Sequence, residues 1–137
     1  MRTFAVVVLL LSLGACAFTT GSKAQGWQYF RAHVHPTGKC GGAREVAASV
    51  YNEPGGKTYT GERFDGSAHR AATPRIDGFP MRSHVHVRNP RNGRSITVYV
   101  NDRLPIGEAF HSGVRLDLTP AAHRALGMTA SDWVCAQ

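Results

Sequence analysis

Arg94-Ser95-Ile96-Thr97-Val98-Tyr99-Val100-Asn101-Asp102-Arg103 is the stretch from which the rest of the chain can be read. Ile96, Val98 and Val100 alternate with Thr97, Tyr99 and Asn101, the two-residue period of a strand with one face in a core and the other toward water. Its β-branched and aromatic content suits a strand. Just before it, Asn89-Pro90-Arg91-Asn92-Gly93 predicts a hairpin connection, since Asn-Gly takes the positive φ angles that a tight turn demands. Val85 and Val87, alternating with His84, His86 and Arg88, form the partner strand. The second strand of this hairpin delivers Asn101 and Asp102 to its exit, where Arg103 and the stiff Pro105 follow. A carboxylate there is held by a rigid element and still reaches solvent, which is how many sites are built.

Working outward, Glu45 to Tyr51 predicts a first strand, and Asn52 to Gly56 a loop by composition. Thr58 to Asp65 carries two carboxylates in four residues, Glu62 and Asp65. Gly66 to Pro80 contains two Gly and two Pro and predicts an irregular crossing segment. Beyond the hairpin, Val114 to Leu118 is a short strand. Thr119-Pro120 then starts a helix, with Thr as N-cap, Pro at the first helical position and Gly127 as the stop. Ser131 to Val134 is expected as a last, edge strand. Strands joined by irregular loops, with one short helix near the end, imply an all-β small barrel.

The chain has 137 residues, which suits one domain with one core. Its 16 Lys and Arg against 9 Asp and Glu favour anionic partners, among them nucleic acid, membrane surfaces and acidic wall polymers. The cations are dispersed, without a basic run or a DNA-reading motif, so no nucleic-acid partner is expected.

Met1 to Ala24 has the plan of an export signal: Arg2 at the start and an apolar run, Phe4 to Leu13, too short to span a bilayer comfortably. Leu13-Gly14-Ala15-Cys16 resembles a lipobox, which would make residues 1–15 the leader and Cys16 the acylated residue. Ser22-Lys23-Ala24 would instead suit cleavage before Gln25. Residues 25–46 then form an N-terminal extension and 47–137 the domain. An exported chain with three cysteines leaves one over. Cys40 and Cys135 are expected to bond and staple the two ends of the domain, with Cys16 as the spare. The product is placed in the periplasm or cell envelope, as an outer-membrane lipoprotein if Cys16 carries lipid, and is expected to be a monomer.

The assembled motifs resemble the RlpA-like (rare lipoprotein A) family of bacterial envelope proteins. They are Ala48-Ser49-Val50-Tyr51, Thr60-Gly61-Glu62-Arg63-Phe64-Asp65, Ala71-Ala72, Val85-His86-Val87-Arg88-Asn89 and Asn92-Gly93-Arg94-Ser95. Further on come Val100-Asn101-Asp102-Arg103-Leu104-Pro105, Arg115 to Ala122 and Leu126-Gly127-Met128. The resemblance implies a six-stranded double-psi β-barrel. It also implies lytic transglycosylase activity on peptidoglycan glycan strands, especially denuded ones, without a cofactor. Carried over by motif, the catalytic Glu falls on Glu62 and the catalytic Asp on Asp102. Thr73 stands where members commonly have a His, and Val50 where an aromatic is usual. His69 lies close enough in sequence to replace the missing His.

Cleaving a β-1,4 glycosidic bond needs a proton for the departing oxygen and stabilisation of an oxocarbenium-like centre, work for paired carboxyl groups. Tyr51, Asn101 and Arg103 are expected to touch substrate, Tyr51 or Tyr99 by stacking on a sugar and Arg103 by facing an anionic lactyl group. Asp65 is expected to bond within its loop, and Asp117 to pair with Arg115 or the helix start. His33/His35 and His84/His86 each put two imidazoles on one strand face, but no acidic or thiol partner stands at metal-binding spacing, so no metal site is expected. Three classes remain: a glycan-cleaving enzyme, a wall-binding or wall-loosening module with the same groove, and a disulfide-stapled inhibitor or partner-binding barrel.

Overall fold

The computed structural model describes Phe30 and residues 33–137. The expected leader over residues 1–24 and Cys16 lie outside the described residues. Six strands, β1 (Arg44–Val50), β2 (Arg70–Thr73), β3 (His84–Arg88), β4 (Ser95–Arg103), β5 (Val114–Leu118) and β6 (Asp132–Ala136), close into a barrel in the order β1-β5-β2-β4-β3-β6. β1 with β5 and β2 with β4 run parallel, and the other four pairings are antiparallel. Two helices lie between strands late in the chain, α1 (Ile106–Ser112) and α2 (Pro120–Ala125).

The alternation in the central hairpin sorts its side chains as expected. Val85, Val87, Val98 and Val100 point into the barrel with Leu116, Leu118 and Val134, while His84 and His86 face outward. Filling a cylinder this small requires small and branched side chains, so Ala48, Ala71 and Ala136 serve where neighbouring strands come close. A second apolar cluster joins Phe30, Ala47, Leu104, Ala109 and Val114, with Trp133 packed against it, and holds α1 to the outside of the wall.

Three expectations are corrected. Gly66 to Pro80 is not wholly irregular, because Arg70–Thr73 forms β2; four residues rich in Ala carry no period, and the strand exists through its pairing with β4 and β5. Ile106–Ser112 is a helix, so two short helices, not one, follow β4; α1 ends at Gly113, whose φ of 76° accepts the left-handed cap. The last strand is not an edge: β6 lies between β1 and β3, and Val87 opposite Ala136 helps to close the cylinder. β1 starts at Arg44.

Smaller adjustments follow the same logic. In the hairpin connection only Gly93 adopts positive φ, at 78°, and Asn89 orders the loop by accepting the Arg91 N–H on its side chain. Thr119 and Pro120 do start α2, but the Thr119 hydroxyl donates to Ala68 O at 2.6 Å instead of capping the helix. Cys40 and Cys135 are bonded, with Cα atoms 5.2 Å apart. Cys135 lies opposite Glu45 in the β1 to β6 pairing, so the bond ties the segment before β1 to the last strand.

Candidate active site

Asn101 sits at an irregularity in the parallel pairing of β2 with β4, where Ala71 is opposite Val100 and Ala72 opposite Asp102. The extra residue breaks the alternation, so Val100 and Asn101 are both fully buried and Asp102 emerges at the barrel end. Over this end hangs the turn Thr58 to Glu62. It is closed by Thr58 N–H to Glu62 O at 2.8 Å and Gly61 N–H to Thr58 O at 2.9 Å, with Gly61 at φ 88°.

Three hydrogen bonds fasten the turn to β4. Thr60 N–H donates to Asn101 O at 3.1 Å. Tyr59 N–H donates to Asp102 Oδ1 at 2.9 Å. Asn101 Nδ2 donates to Glu62 Oε2 at 2.9 Å. Glu62 and Asp102 are thus brought together by adjacent residues of one strand holding one turn.

The two carboxylates have different surroundings. Asp102 Oδ1 takes the N–H of Tyr59 and that of Arg103, each at 2.9 Å, and Oδ2 takes the Tyr51 hydroxyl at 3.2 Å. Burial, then the Asp102 charge and hydrogen bond, push the Tyr51 phenol above its ordinary value, so it remains a donor to Asp102. Glu62 is 42 % exposed in its side chain and pairs with Arg70 at 2.9 Å. Arg70 also lies over the Tyr99 ring, 5.4 Å from its centroid.

Glu62 borders an open groove of about 580 Å³ with Ala68, His69, Arg70, His84, Thr97 and Tyr99. Its floor is the outward face of β3 and β4, with the His84 and Tyr99 rings 5.1 Å apart. His69 is therefore on the same groove as Glu62. Thr73, in contrast, is fully buried, donating to Arg115 O and accepting the Phe79 N–H, each at 2.9 Å. A side chain there fastens the crossing loop and does not reach the groove. The same packing requires Gly78, where a Cβ would stand 2.1 Å from Pro74 O and 2.4 Å from Thr73 Oγ1.

Of the residues expected to touch substrate, Tyr51 serves Asp102 and is half-buried. Asn101 is sealed from solvent and supports Glu62, which makes it a positioning residue; its Oδ1 is buried without a hydrogen-bond partner. Arg103 does not pair with Asp102 through its side chain: its guanidinium lies 5.1 Å from the centroid of the Tyr59 ring. Asp65 bonds within its loop, to Ser67 N–H and hydroxyl, which holds its carboxyl below the usual range. Asp117 accepts the Ser49 hydroxyl at 2.7 Å, while Arg115 turns to the carbonyls of Ala109 and Val114. His33 and His35 are not on a strand, and no cluster of three metal-ligating side chains occurs among the described residues. Sequence reasoning missed Arg70 and Tyr59, whose roles depend on contacts across the fold that no local spacing announces.

Comparisons with known proteins bear on the family and the fold. The chain is 44 % identical over 77 residues to a probable endolytic peptidoglycan transglycosylase RlpA of Nostoc sp., covering 56 % of this chain and 19 % of that protein. It is 42 % identical over 73 residues to the endolytic peptidoglycan transglycosylase RlpA of Neisseria meningitidis, 53 % of this chain and 28 % of the relative. With that of Yersinia pestis it shares 43 % over 84 residues, 60 % and 21 % of the two chains. The chain thus matches less than a third of the length of these relatives. Among solved structures, a Streptomyces papain inhibitor superposes with a TM-score of 0.51 at 21 % identity, over 69 % of this chain and 93 % of the other, a likeness of fold alone. The family model described as lytic transglycolase matches residues 43–134, from the start of the barrel into its last strand, and the chain belongs to that family.

Proposed function

We propose that this protein is a peptidoglycan lytic transglycosylase of the cell envelope, cleaving the β-1,4 bond of glycan strands, with denuded strands preferred. The observation that carries the reading is the joint suspension of Glu62 and Asp102 from one turn and one strand end, beside an open groove. The names of the relatives, endolytic peptidoglycan transglycosylases, supply the substrate class.

In the reaction the bond from the muramoyl C1 to the next sugar's O4 breaks as a carboxyl group gives its proton to O4. The C6 hydroxyl of the same muramoyl unit then closes on C1 and returns its proton to that carboxylate, so a 1,6-anhydro end forms and no water is consumed. Glu62 borders the groove, which favours it for the proton transfers. Asp102 has donors on both oxygens and is held rigidly enough to steady the positive charge developing at C1.

The purified protein, incubated with denuded glycan strands, is expected to yield 1,6-anhydromuramoyl ends by mass spectrometry. Glu62→Gln and Asp102→Asn should each lower the rate by about 10²–10⁴-fold. Products that persist in both variants would remove these residues from the chemistry. A second reading, a wall-binding module without turnover, is supported by the Arg70 ion pair that occupies Glu62 Oε2; it predicts glycan binding and no such ends.

A further inference from the structure

We infer that the exposed ring of Tyr59, together with the Arg103 guanidinium beside it, is a binding platform for a muramic acid unit with a free lactyl carboxylate, on the side of the carboxylate pair away from the groove. The inference rests on the glycan-cleaving reading above and names a subsite for it.

The order of side chains along β4 sets the path. Thr97 and Tyr99 floor the groove, Asn101 holds Glu62, Asp102 follows, and Arg103 ends the strand against Tyr59. At about 3.3 Å per residue, Tyr99 and Arg103 are about 13 Å apart along the strand, room for more than one sugar ring. A glycan lying in the groove and passing Glu62 and Asp102 meets Tyr59 and Arg103 next.

Tyr59 suits that position because the fold makes no demand on its ring. The residue is 59 % exposed, and what anchors it is its backbone N–H on Asp102. The anchor fixes the Tyr59 backbone, the root of the ring, beside one of the two carboxylates. An aromatic face presents a flat apolar surface to the C–H face of a pyranose, and the phenol end stays wet. Arg103 adds the charge. The ion pairs among the described residues are Glu62 with Arg70 and Arg91 with Asp132, so the Arg103 guanidinium has no carboxylate partner there. The side-chain hydrogen bond it makes among the described residues, to Pro74 O, is long at 3.5 Å, which leaves donors for an anion. The lactyl carboxylate is free only where the stem peptide has been removed, so this pair would read denudation directly.

The test compares wild type with Tyr59→Ala, Tyr59→Trp and Arg103→Gln on denuded strands, and measures binding separately by sedimentation with the strands. Tyr59→Ala should raise KM about tenfold with kcat retained, and Tyr59→Trp should restore it. Arg103→Gln should weaken binding about tenfold for denuded strands and leave an uncharged chitin oligosaccharide unaffected. An unchanged KM in Tyr59→Ala, or a fall in kcat alone, overturns the platform. Equal losses on charged and uncharged glycans overturn the role given to Arg103. If wild type binds strands but yields no anhydro ends, the lytic reading fails, and the platform then stands or falls on whether Tyr59→Ala loses that binding.

Discussion

Replacing Asn101 separates positioning from contact at this site. Its side chain is fully buried and donates to Glu62 Oε2 at 2.9 Å, so it can affect a glycan only through Glu62. A hydrogen bond to a charged group contributes about 1.5–3 kcal/mol. At about 1.4 kcal/mol per tenfold in rate, Asn101→Ala should lower kcat by roughly 10- to 150-fold. The low end is favoured, since Arg70 donates to the same oxygen. Binding of denuded strands should stay within about twofold of wild type. Asn101→Asp keeps the volume but sets a second carboxyl against Glu62, and two carboxylates at hydrogen-bond distance cannot both be ionised cheaply. Its defect should therefore shrink as pH falls, because one proton shared by the pair restores a hydrogen bond. The assay is the initial rate of 1,6-anhydro end formation across pH, with denaturant midpoints recorded for each variant so that misfolding is not mistaken for lost chemistry. Full kcat in Asn101→Ala, or a raised KM at unchanged kcat, would refute the reasoning.

Two further outcomes concern stability. Cys40 and Cys135 close a loop with a sequence separation of 95, so the double Ser variant should lose about 4–5 kcal/mol out of the roughly 5–15 kcal/mol that hold a domain of this size, read as a large drop in denaturant midpoint. A change under about 1 kcal/mol would mean that the reduced unfolded chain already holds its ends together. Glu45 is the pH-dependent element next to that bond. Burial acts to raise its carboxyl, but hydrogen bonds from the Thr37 hydroxyl, the Thr37 and Gly38 N–H groups, and the Arg91 charge outweigh it and hold it below 4.5. A depressed folded value means that its contribution is present above pH 4.5 and is lost as pH falls through the folded value. Glu45→Gln should thus melt below wild type near neutral pH and converge with it in acid; a gap that persists in acid contradicts the assignment.

The hairpin and its exit were legible because one face is buried and the other wet, which prints a two-residue period on Ile96 to Val100. The start and stop of α2 were legible in Thr119-Pro120 and Gly127, while Glu62 and Asp102, 40 residues apart, were singled out only through the family resemblance. β2 was not, since Ala71 and Ala72 are small for reasons that belong to the strands facing them. The inward turn of Asn101 was equally hidden. Strict alternation puts it on the wet face with Tyr99, and only the extra residue opposite Ala71 and Ala72 turns it inside. Arg70 and Tyr59 acquire meaning from partners 8 and 43 residues away, distances at which no local pattern is kept.

The closing of the cylinder by β6 gives the molecule an order of assembly. Ala136 is placed opposite both Arg44 and Val87, so the first and third strands have no common neighbour until the sixth is in hand. Pairings this remote along a chain form slowly, and the covalent clamp at Cys135 needs an oxidant. A chain of this design leaves its cylinder open until the sixth strand pairs with the first and the third. The turn carrying Glu62 docks on β4, whose partners β2 and β3 both precede it in the chain, so the footing of the carboxylate pair does not wait for the cylinder to close.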